Sequence, residues 1–249
     1  MTVKFDQFLR LHVSGDPLIL FNVWDAGSAA AAAKAGAKAV ATGSASVAAA
    51  NGFGDGEEVP MAFALANAER IVRTVEVPVT VDFEGGYAAD PDGVAKNLAL
   101  LAATGTIGCN FEDQIVGGDG IWPVRDQCER LKAARRGAGE TFFINARTDI
   151  FLKTKAEAHD SAAADAAIER AIAYAEAGAS GYFIPGLADL TLVERITKAS
   201  PIPVNAMWFP GAPRNKQWAG AGIARISHGP FPQIALMTTF ENMAREALA

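Results

Sequence analysis

Apolar and polar residues alternate with period two through Val77-Pro-Val-Thr-Val-Asp-Phe-Glu-Gly-Gly-Tyr87. Val79, Val81 and Phe83 fall on one side of this stretch, and Thr80, Asp82 and Glu84 on the other, so it reads as a strand that runs into a glycine turn. Similar short apolar stretches recur along the chain. Several follow a small-Gly-small triplet: Ala35-Gly36-Ala37, Thr104-Gly105-Thr106, Ala177-Gly178-Ala179 and Ala219-Gly220-Ala221. Glycine past a helix end is the usual C-terminal stop. Two more strands follow a proline, at Val77-Pro78-Val79 and Ile202-Pro203-Val204. With Leu18–Val23 and Thr141–Arg147, eight strands are predicted, starting near 18, 38, 77, 106, 141, 181, 202 and 222. Helical segments are expected between them, over about 27–36, 60–75, 91–104, 123–136, 160–177, 188–199, 213–219 and 231–247. Asp90 with Pro91 gives the third a clear start.

Eightfold strand–helix alternation predicts an α/β protein, a (β/α)8 TIM-type barrel, with residues 1–249 forming a single catalytic domain. An open doubly wound sheet is the structural rival. In a barrel, function gathers at the C-terminal ends of the strands. Phase then sorts the side chains found there. On the fourth strand Gly108, Asn110 and Glu112 share one face and Ile107, Cys109 and Phe111 the other. On the fifth, Asn145 and Arg147 oppose Ile144 and Ala146. The apolar faces should pack on the helices, and the polar faces should bring Asp82, Glu84, Glu112 and Arg147 together inside the barrel.

Composition adds limits. Half of the 249 residues are apolar, 20% are charged, and the net charge is −6 with no basic block. Neither nucleic acid nor an anionic membrane is an expected partner. No apolar run reaches the ~18 residues of a membrane span, and the N-terminus lacks the apolar core of a signal peptide. The two cysteines, Cys109 and Cys128, show no paired or metal-binding spacing, which suits a reduced, cytoplasmic location. Cys109 is expected to be a buried apolar side chain. His12 and His159 are read as surface residues, and His228 as a strand-exit residue.

Several carboxylates without His or Cys partners suit a hard cation with oxygen ligands, Mg2+ or Mn2+. Asp82, Glu84 and Glu112 are the candidate metal residues. One arginine among several acids, Arg147, suits a two-pronged grip on a substrate carboxylate. Small residues at Gly43-Ser-Ala-Ser46 would let backbone N–H groups approach an anion. Trp24 and Asn205, at other strand exits, are expected to line the substrate site. Metal, arginine and amides together fit a 2-oxo acid, whose enolate such a site would stabilise as a neighbouring bond breaks. Each residue also has a plain structural reading: Asp82 and Glu84 as loop acids, Arg147 as their neutraliser, Ser44 and Ser46 as turn formers.

The segments Asn22–Ala29, Thr42–Ser46, Gly52-Phe-Gly-Asp-Gly56, Val79–Tyr87, Asn110-Phe-Glu-Asp113 and Asn145-Ala-Arg-Thr-Asp149, in that order, resemble the isocitrate lyase/phosphoenolpyruvate mutase superfamily over essentially the whole chain. The resemblance implies a β/α barrel whose last helix is commonly swapped between subunits of a homodimer or homotetramer. It also implies Mg2+ and 2-oxo-acid or enolpyruvate chemistry. By motif, Asp82 resembles the direct metal ligand, and Glu84 stands where a second Asp is common. Glu112 and Asp55 resemble acids in the metal's water shell. Arg147, Ser44 and the amides of Ala45 and Ser46 resemble the carboxylate clamp.

This sequence also departs from the family. The Lys-Lys-Cys-Gly-His run of members that cleave isocitrate or methylisocitrate is absent. So is the lysine that phosphonate-acting members carry shortly after Glu112-Asp113. Here Gln114-Ile-Val-Gly-Gly-Asp-Gly120 follows, a candidate mobile lid. The chain resembles an outlying branch. The expected activity is that of an Mg2+-dependent carbon–carbon lyase on a small 2-oxo (di)carboxylate, of the oxaloacetate decarboxylase kind, working through a pyruvate enolate. Phosphonopyruvate-type P–C chemistry is the alternative enzyme, and a metabolite-binding barrel without turnover the alternative class.

Overall fold

The period-two stretches are strands, and they lie side by side in parallel. The computed structural model describes residues 2–249. Nine strands form one sheet: β1 (Leu18–Leu20), β2 (Asn22–Val23), β3 (Val40–Thr42), β4 (Val79–Asp82), β5 (Gly108–Glu112), β6 (Phe143–Arg147), β7 (Gly181–Phe183), β8 (Val204–Met207) and β9 (Arg225–Ser227). The order is β1-β9-β8-β7-β6-β5-β4-β3-β2. Its two ends, β1 and β2, are one run of chain interrupted at Phe21. Leu18–Leu20 pair with Arg225–Ser227 on one side, and Asn22–Val23 pair with Ala41–Thr42 on the other. The single strand expected over 18–23 is thus the seam that closes a TIM-type barrel. A barrel leaves no edge strand exposed.

Helices return the chain between strands: α1 (Thr2–Arg10), α2 (Ala26–Lys34), α3 (Ser44–Ala50), α4 (Met61–Thr74), α5 (Pro91–Ala103), α6 (Val124–Ala138), α7 (Ser161–Glu176), α8 (Leu190–Ala199), α9 (Asn215–Gly220) and α10 (Phe231–Leu248). Aspartates start four of them. Asp25, Asp90, Asp160 and Asp189 each accept backbone N–H groups of the first turn with their side chains. The expected glycine stops are found at Gly36, Gly105 and Gly178, whose φ values of 97°, 88° and 101° lie in the left-handed region. The fourth stop falls two residues later than expected. Gly220 ends α9, and Gly222 (φ 85°) makes the turn.

The predicted phase holds. Cys109 and Phe111 pack outward with Val81, Leu98, Leu131 and Ile144 in the core between barrel and helices. Asn110, Asn145, Asn205, Arg225 and Ser227 point inward and bond one another. Two helices were not expected. α3 takes up the residues read as a strand exit at 44–46. α1 lies under the barrel, where Phe8 packs with Leu18, Leu20, Ala39, Ile107 and Phe143. This corrects the reading of His12 as a surface residue. Its ring stacks on Phe143 with centroids 4.5 Å apart, and its Nδ1 meets the Phe8 carbonyl at 2.8 Å. A lone histidine in a polar-looking N-terminal stretch carried no sign of that packing. No helix among the described residues is long and apolar enough to cross a membrane.

Candidate functional site

The strand ends place Asp82 at the centre of the barrel mouth. The last residue of β4, it is fixed through its backbone, whose N–H donates to Thr42 Oγ1 at 3.0 Å. Its carboxylate is held loosely. The Ser44 amide and hydroxyl reach Oδ2 at 3.2 and 3.1 Å, and Asn110 Nδ2 reaches Oδ1 at 3.4 Å. The Asn110 amide cannot turn freely, because its Oδ1 accepts from Asn145 Nδ2 at 2.8 Å and from Arg225 Nη2 at 3.2 Å. Two donors on one oxygen direct the NH2 end toward Asp82. Arg225 is fully buried and no carboxylate touches it, so burial lowers its pKa. Its charge stands beneath the acids of the mouth.

Glu84 and Asp55 flank Asp82. Glu84 is buried, and its Oε2 accepts the N–H groups of Gly56 (2.9 Å) and Glu57 (2.8 Å) in the loop between α3 and α4. Burial pushes its carboxyl up to about 8, and the charges of Asp82 and Asp55 push the same way. Asp55, on that loop, is also raised by burial and by Asp82, with a hydrogen bond from Ser44 acting against them. Asp55 and Glu84 therefore both feel the negative charge of Asp82.

Glu112 and Arg147 meet across the paired ends of β5 and β6, Nη1 to Oε2 at 2.8 Å. Arg147 also grips Asp149 with Nε (2.6 Å) and Nη2 (2.9 Å). Three of its five N–H donors are thus engaged and two remain. Burial alone would lower the guanidinium's pKa, but Glu112, Asp149 and Asp82 together raise it. Burial raises Glu112 in turn, opposed by Arg147. Asp149 had no assigned role in the sequence reading, yet it shares the period-two face of Arg147, which is the signal that could have found it. Behind it Asp113 Oδ1 accepts the Asp149 N–H at 2.9 Å. Asp113 Oδ2 takes Arg170 Nη1 (3.1 Å) and the Tyr174 hydroxyl (2.8 Å). Arg170 and Tyr174 come from α7, far along the chain, and nothing local marks them.

A cavity of about 160 Å³ opens at this mouth. Ser44, Ala45, Asp55, Asp82, Asn110 and Arg147 line one half. Leu152, Phe183, Pro185, Met207 and Pro230 line the other. Several expected site residues stand elsewhere. Trp24 packs beside Val47, Val59 and Phe63, and its carbonyl accepts Asn67 Nδ2 at 2.9 Å. Ser46 is buried within α3, and its hydroxyl has no partner. Asn205 lies deeper in the barrel, bonded to Ser227 Oγ at 3.1 Å. Glu84 and Glu112 are not among the cavity's walls: Glu112 bonds Arg147, which lines it, and Glu84 bonds the backbone of the loop that carries Asp55. The His228 ring stacks on Trp208, and its backbone N–H donates to Asn22 Oδ1 at 2.8 Å. Residues 114–121 fold back on themselves, with Gln114 bridged to Ile121 and left-handed turns at Gly117 and Gly120.

The donor set fits a divalent cation with oxygen ligands. Asp82 touches no basic side chain, its contacts are long, and its neighbours Asp55 and Glu84 are destabilised by its charge. Among the described residues, no three His, Cys, Asp or Glu side chains are grouped closely enough to hold one ion directly. Mg2+ binds in this manner, through one or two carboxylates, with water filling the remaining positions.

Comparison with known proteins agrees with this geometry. The phosphoenolpyruvate phosphomutase family profile matches residues 8–248. The structure of "a putative phosphonomutase from Burkholderia cenocepacia J2315" superposes with a TM-score of 0.96 at 46% identity, covering 99% of both chains. An uncharacterized protein of Mycobacterium tuberculosis, MT2054, is 31% identical over 240 residues, 96% of this chain and 88% of that one. The oxaloacetate decarboxylase of Rhodopseudomonas palustris is 28% identical over 138 residues, 54% of this chain and 46% of that one.

Proposed function

The chain belongs to the phosphoenolpyruvate phosphomutase family, within the isocitrate lyase/phosphoenolpyruvate mutase superfamily, and from that premise we propose that it is an Mg2+-dependent carbon–carbon lyase. Its substrate is a small 2-oxo (di)carboxylate, cleaved by decarboxylation or retro-aldol fission. The observation that carries this reading is one small cavity lined both by Asp82, whose carboxylate has no cationic partner, and by Arg147, two of whose five N–H donors are not engaged by Glu112 or Asp149. Asp82 would hold the ion, and Asp55 and Glu84 would hold its waters. A divalent ion held there would supply positive charge against the negative charge that develops on the substrate as the bond breaks.

The chain's own residues do the rest. Arg147 receives the substrate carboxylate. Glu112 and Asp149 hold its guanidinium from the other sides, so that it is already oriented when substrate arrives. Ser44 and Ala45 close the cavity beside that carboxylate. Leu152, Phe183, Pro185, Met207 and Pro230 exclude water from the departing group and offer it no cation. A carboxylate placed against such a wall is poorly solvated and leaves as neutral CO2. No general base is needed for that step, which suits a 114–120 loop without lysine or cysteine.

P–C bond chemistry is the competing reading, favoured by the description of the 46% identical structure. The apolar wall opposes it, since a phosphonate carries more charge than a carboxylate and Arg147 is the one cationic side chain among the cavity's lining residues. One panel separates the two: Mg2+ with oxaloacetate, alkylmalates, methylisocitrate or phosphonopyruvate, followed by pyruvate release and, for the phosphonate, by phosphorus NMR for phosphoenolpyruvate or phosphate. Turnover of a carbon acid, abolished by EDTA, is expected. Turnover of phosphonopyruvate alone would establish the mutase or hydrolase reading, and tight oxalate binding without any turnover a binding protein.

The oligomer follows the same line. α10 leaves Ile234, Leu236, Met237, Phe240 and Met243 largely exposed, while a groove of about 480 Å³ beside Leu11, Val13, Phe21, Ala32 and Ala37 is open. A second copy's α10 seated in such grooves would give the swapped homodimer or homotetramer. Removal of residues 231–249 is then expected to yield a monomer in light scattering.

A further inference from the structure

Among the described residues, three other than glycine hold a left-handed backbone: Glu57 (φ 63°), Glu84 (φ 49°) and Tyr87 (φ 55°). All three belong to one junction. Glu84 Oε2 accepts the N–H groups of Gly56 and Glu57, and Glu57 Oε1 in return accepts the Tyr87 N–H at 2.8 Å. Two loops thus exchange carboxylate-to-amide bonds, each through a residue whose own backbone is strained. Strained conformations persist only where their surroundings over-determine them, and they concentrate at working sites.

The two sides of this clasp are unequal. The turn after β4 is anchored from the outer helices. Asn97 Nδ2 donates to the Gly86 and Tyr87 carbonyls at 3.0 and 3.1 Å. Arg130 donates to the Gly85 and Ala88 carbonyls at 2.6 and 2.8 Å, its guanidinium stacked on Phe111 and Trp122. The 52–58 loop has few ties of its own: Phe53 N–H to the Ala48 carbonyl, and Gly54 N–H to Glu58. The rigid turn therefore sets the loop's position, and the loop carries Asp55.

We propose that Glu57 is a positioning residue: its carboxylate docks the 52–58 loop onto the Gly85–Tyr87 turn and so fixes Asp55 opposite Asp82. The proposal rests on the lyase reading only in giving Asp55 a task at the metal's waters. A cooperative clasp predicts coupling, because residues acting through one another do not add in double-mutant cycles.

The test uses Glu57→Ala, Glu57→Gln, Asp55→Asn and the Glu57→Ala/Asp55→Asn double variant of the full chain. Three readouts are taken: Mg2+ affinity by calorimetry, kcat/KM on the substrate found above, and amide exchange of residues 52–58. Glu57→Ala is expected to speed exchange across 52–58 and to lower Mg2+ affinity and kcat/KM by about tenfold, with little further loss on top of Asp55→Asn. Glu57→Gln keeps an oxygen for the Tyr87 N–H and should recover most of the loss. If the alanine variant does not fold, Glu57→Asp, which keeps the charge but not the reach, replaces it and should show a partial form of the same changes. Unchanged exchange at 52–58, or losses that simply add to those of Asp55→Asn, would overturn the proposal. Normal Mg2+ affinity and turnover in Asp55→Asn, with exchange still raised in Glu57→Ala, would instead leave the docking intact and remove Asp55 from the site.

Discussion

The two halves of the barrel mouth are built by opposite means. On the β3–β6 side, nearly every polar atom near the cavity is held by another: Asn110 by Asn145 and Arg225, Arg147 by Glu112 and Asp149, Asp149 by Asp113, and Asp113 by Arg170 and Tyr174. On the β7–β9 side, Phe183, Pro185, Met207 and Pro230 present bulk and no charge. The charged half is suited to grip and orient one end of an oxo acid. Apart from the Ser227 hydroxyl, the apolar half offers no side-chain polar group to stabilise a charge at the other end. On the proposed lyase reading, a site divided in this way would bind the part of the substrate that stays and disfavour the charged form of the part that leaves.

Removing the centre of the charged half should have the largest effect. Asp82→Ala is expected to abolish measurable turnover, a loss of about 10³-fold or more, and to weaken Mg2+ binding by at least tenfold. Arg147→Lys comes next. It keeps the charge but loses the planar fork that Glu112 and Asp149 hold, so kcat/KM should fall by about 10²-fold with Mg2+ affinity nearly unchanged. Met207→Lys attacks the comparison from the other side. A cation in the apolar half should lower KM for a dicarboxylate and lower kcat by about tenfold, because it stabilises the charge that has to leave. Equal or faster turnover in that variant would mean that the apolar wall plays no part in cleavage.

The smallest effect lies at the other end of the barrel and leaves activity aside. Burial pushes the His12 imidazole down to about 3, and Arg225 adds to this while the Phe8 carbonyl opposes it. The unfolded chain has an ordinary histidine near 6.5. Between these values the unfolded chain binds a proton that the folded one refuses, so stability falls as pH drops below 6.5, by up to ~1.4 kcal/mol per pH unit from this group. Denaturant titrations between pH 7 and 5 should show that slope, and His12→Phe should flatten it.

The barrel was legible because strand phase and glycine stops are local signals, set in a strand–helix alternation that recurs eight times. Asp82, Glu112 and Arg147 could be placed at the mouth for the same reason, since each ends a strand; Glu84 lies beyond the end of β4 in a left-handed turn, which the period-two reading did not show. The sequence reading failed where contacts depend on distant partners. His12 is half-buried because Phe143 lies above it, and Trp24 turns away because Val59 and Phe63 receive it. α3 was hidden because Gly43-Ser-Ala-Ser46 serves equally well as a loop and as a helix start. Asp149 and Glu57 were overlooked because an acid that holds another residue in place leaves no motif of its own.

The central claim is that Asp82 anchors the ion through which this mouth takes an oxo acid, and oxalate, a mimic of the pyruvate enolate, tests it most directly. Calorimetric titration of oxalate into the wild-type chain should show tight binding with Mg2+ present and little without it, and Asp82→Ala should lose the Mg2+-dependent part. Oxalate binding that is equally tight without Mg2+, or unchanged in Asp82→Ala, would contradict it.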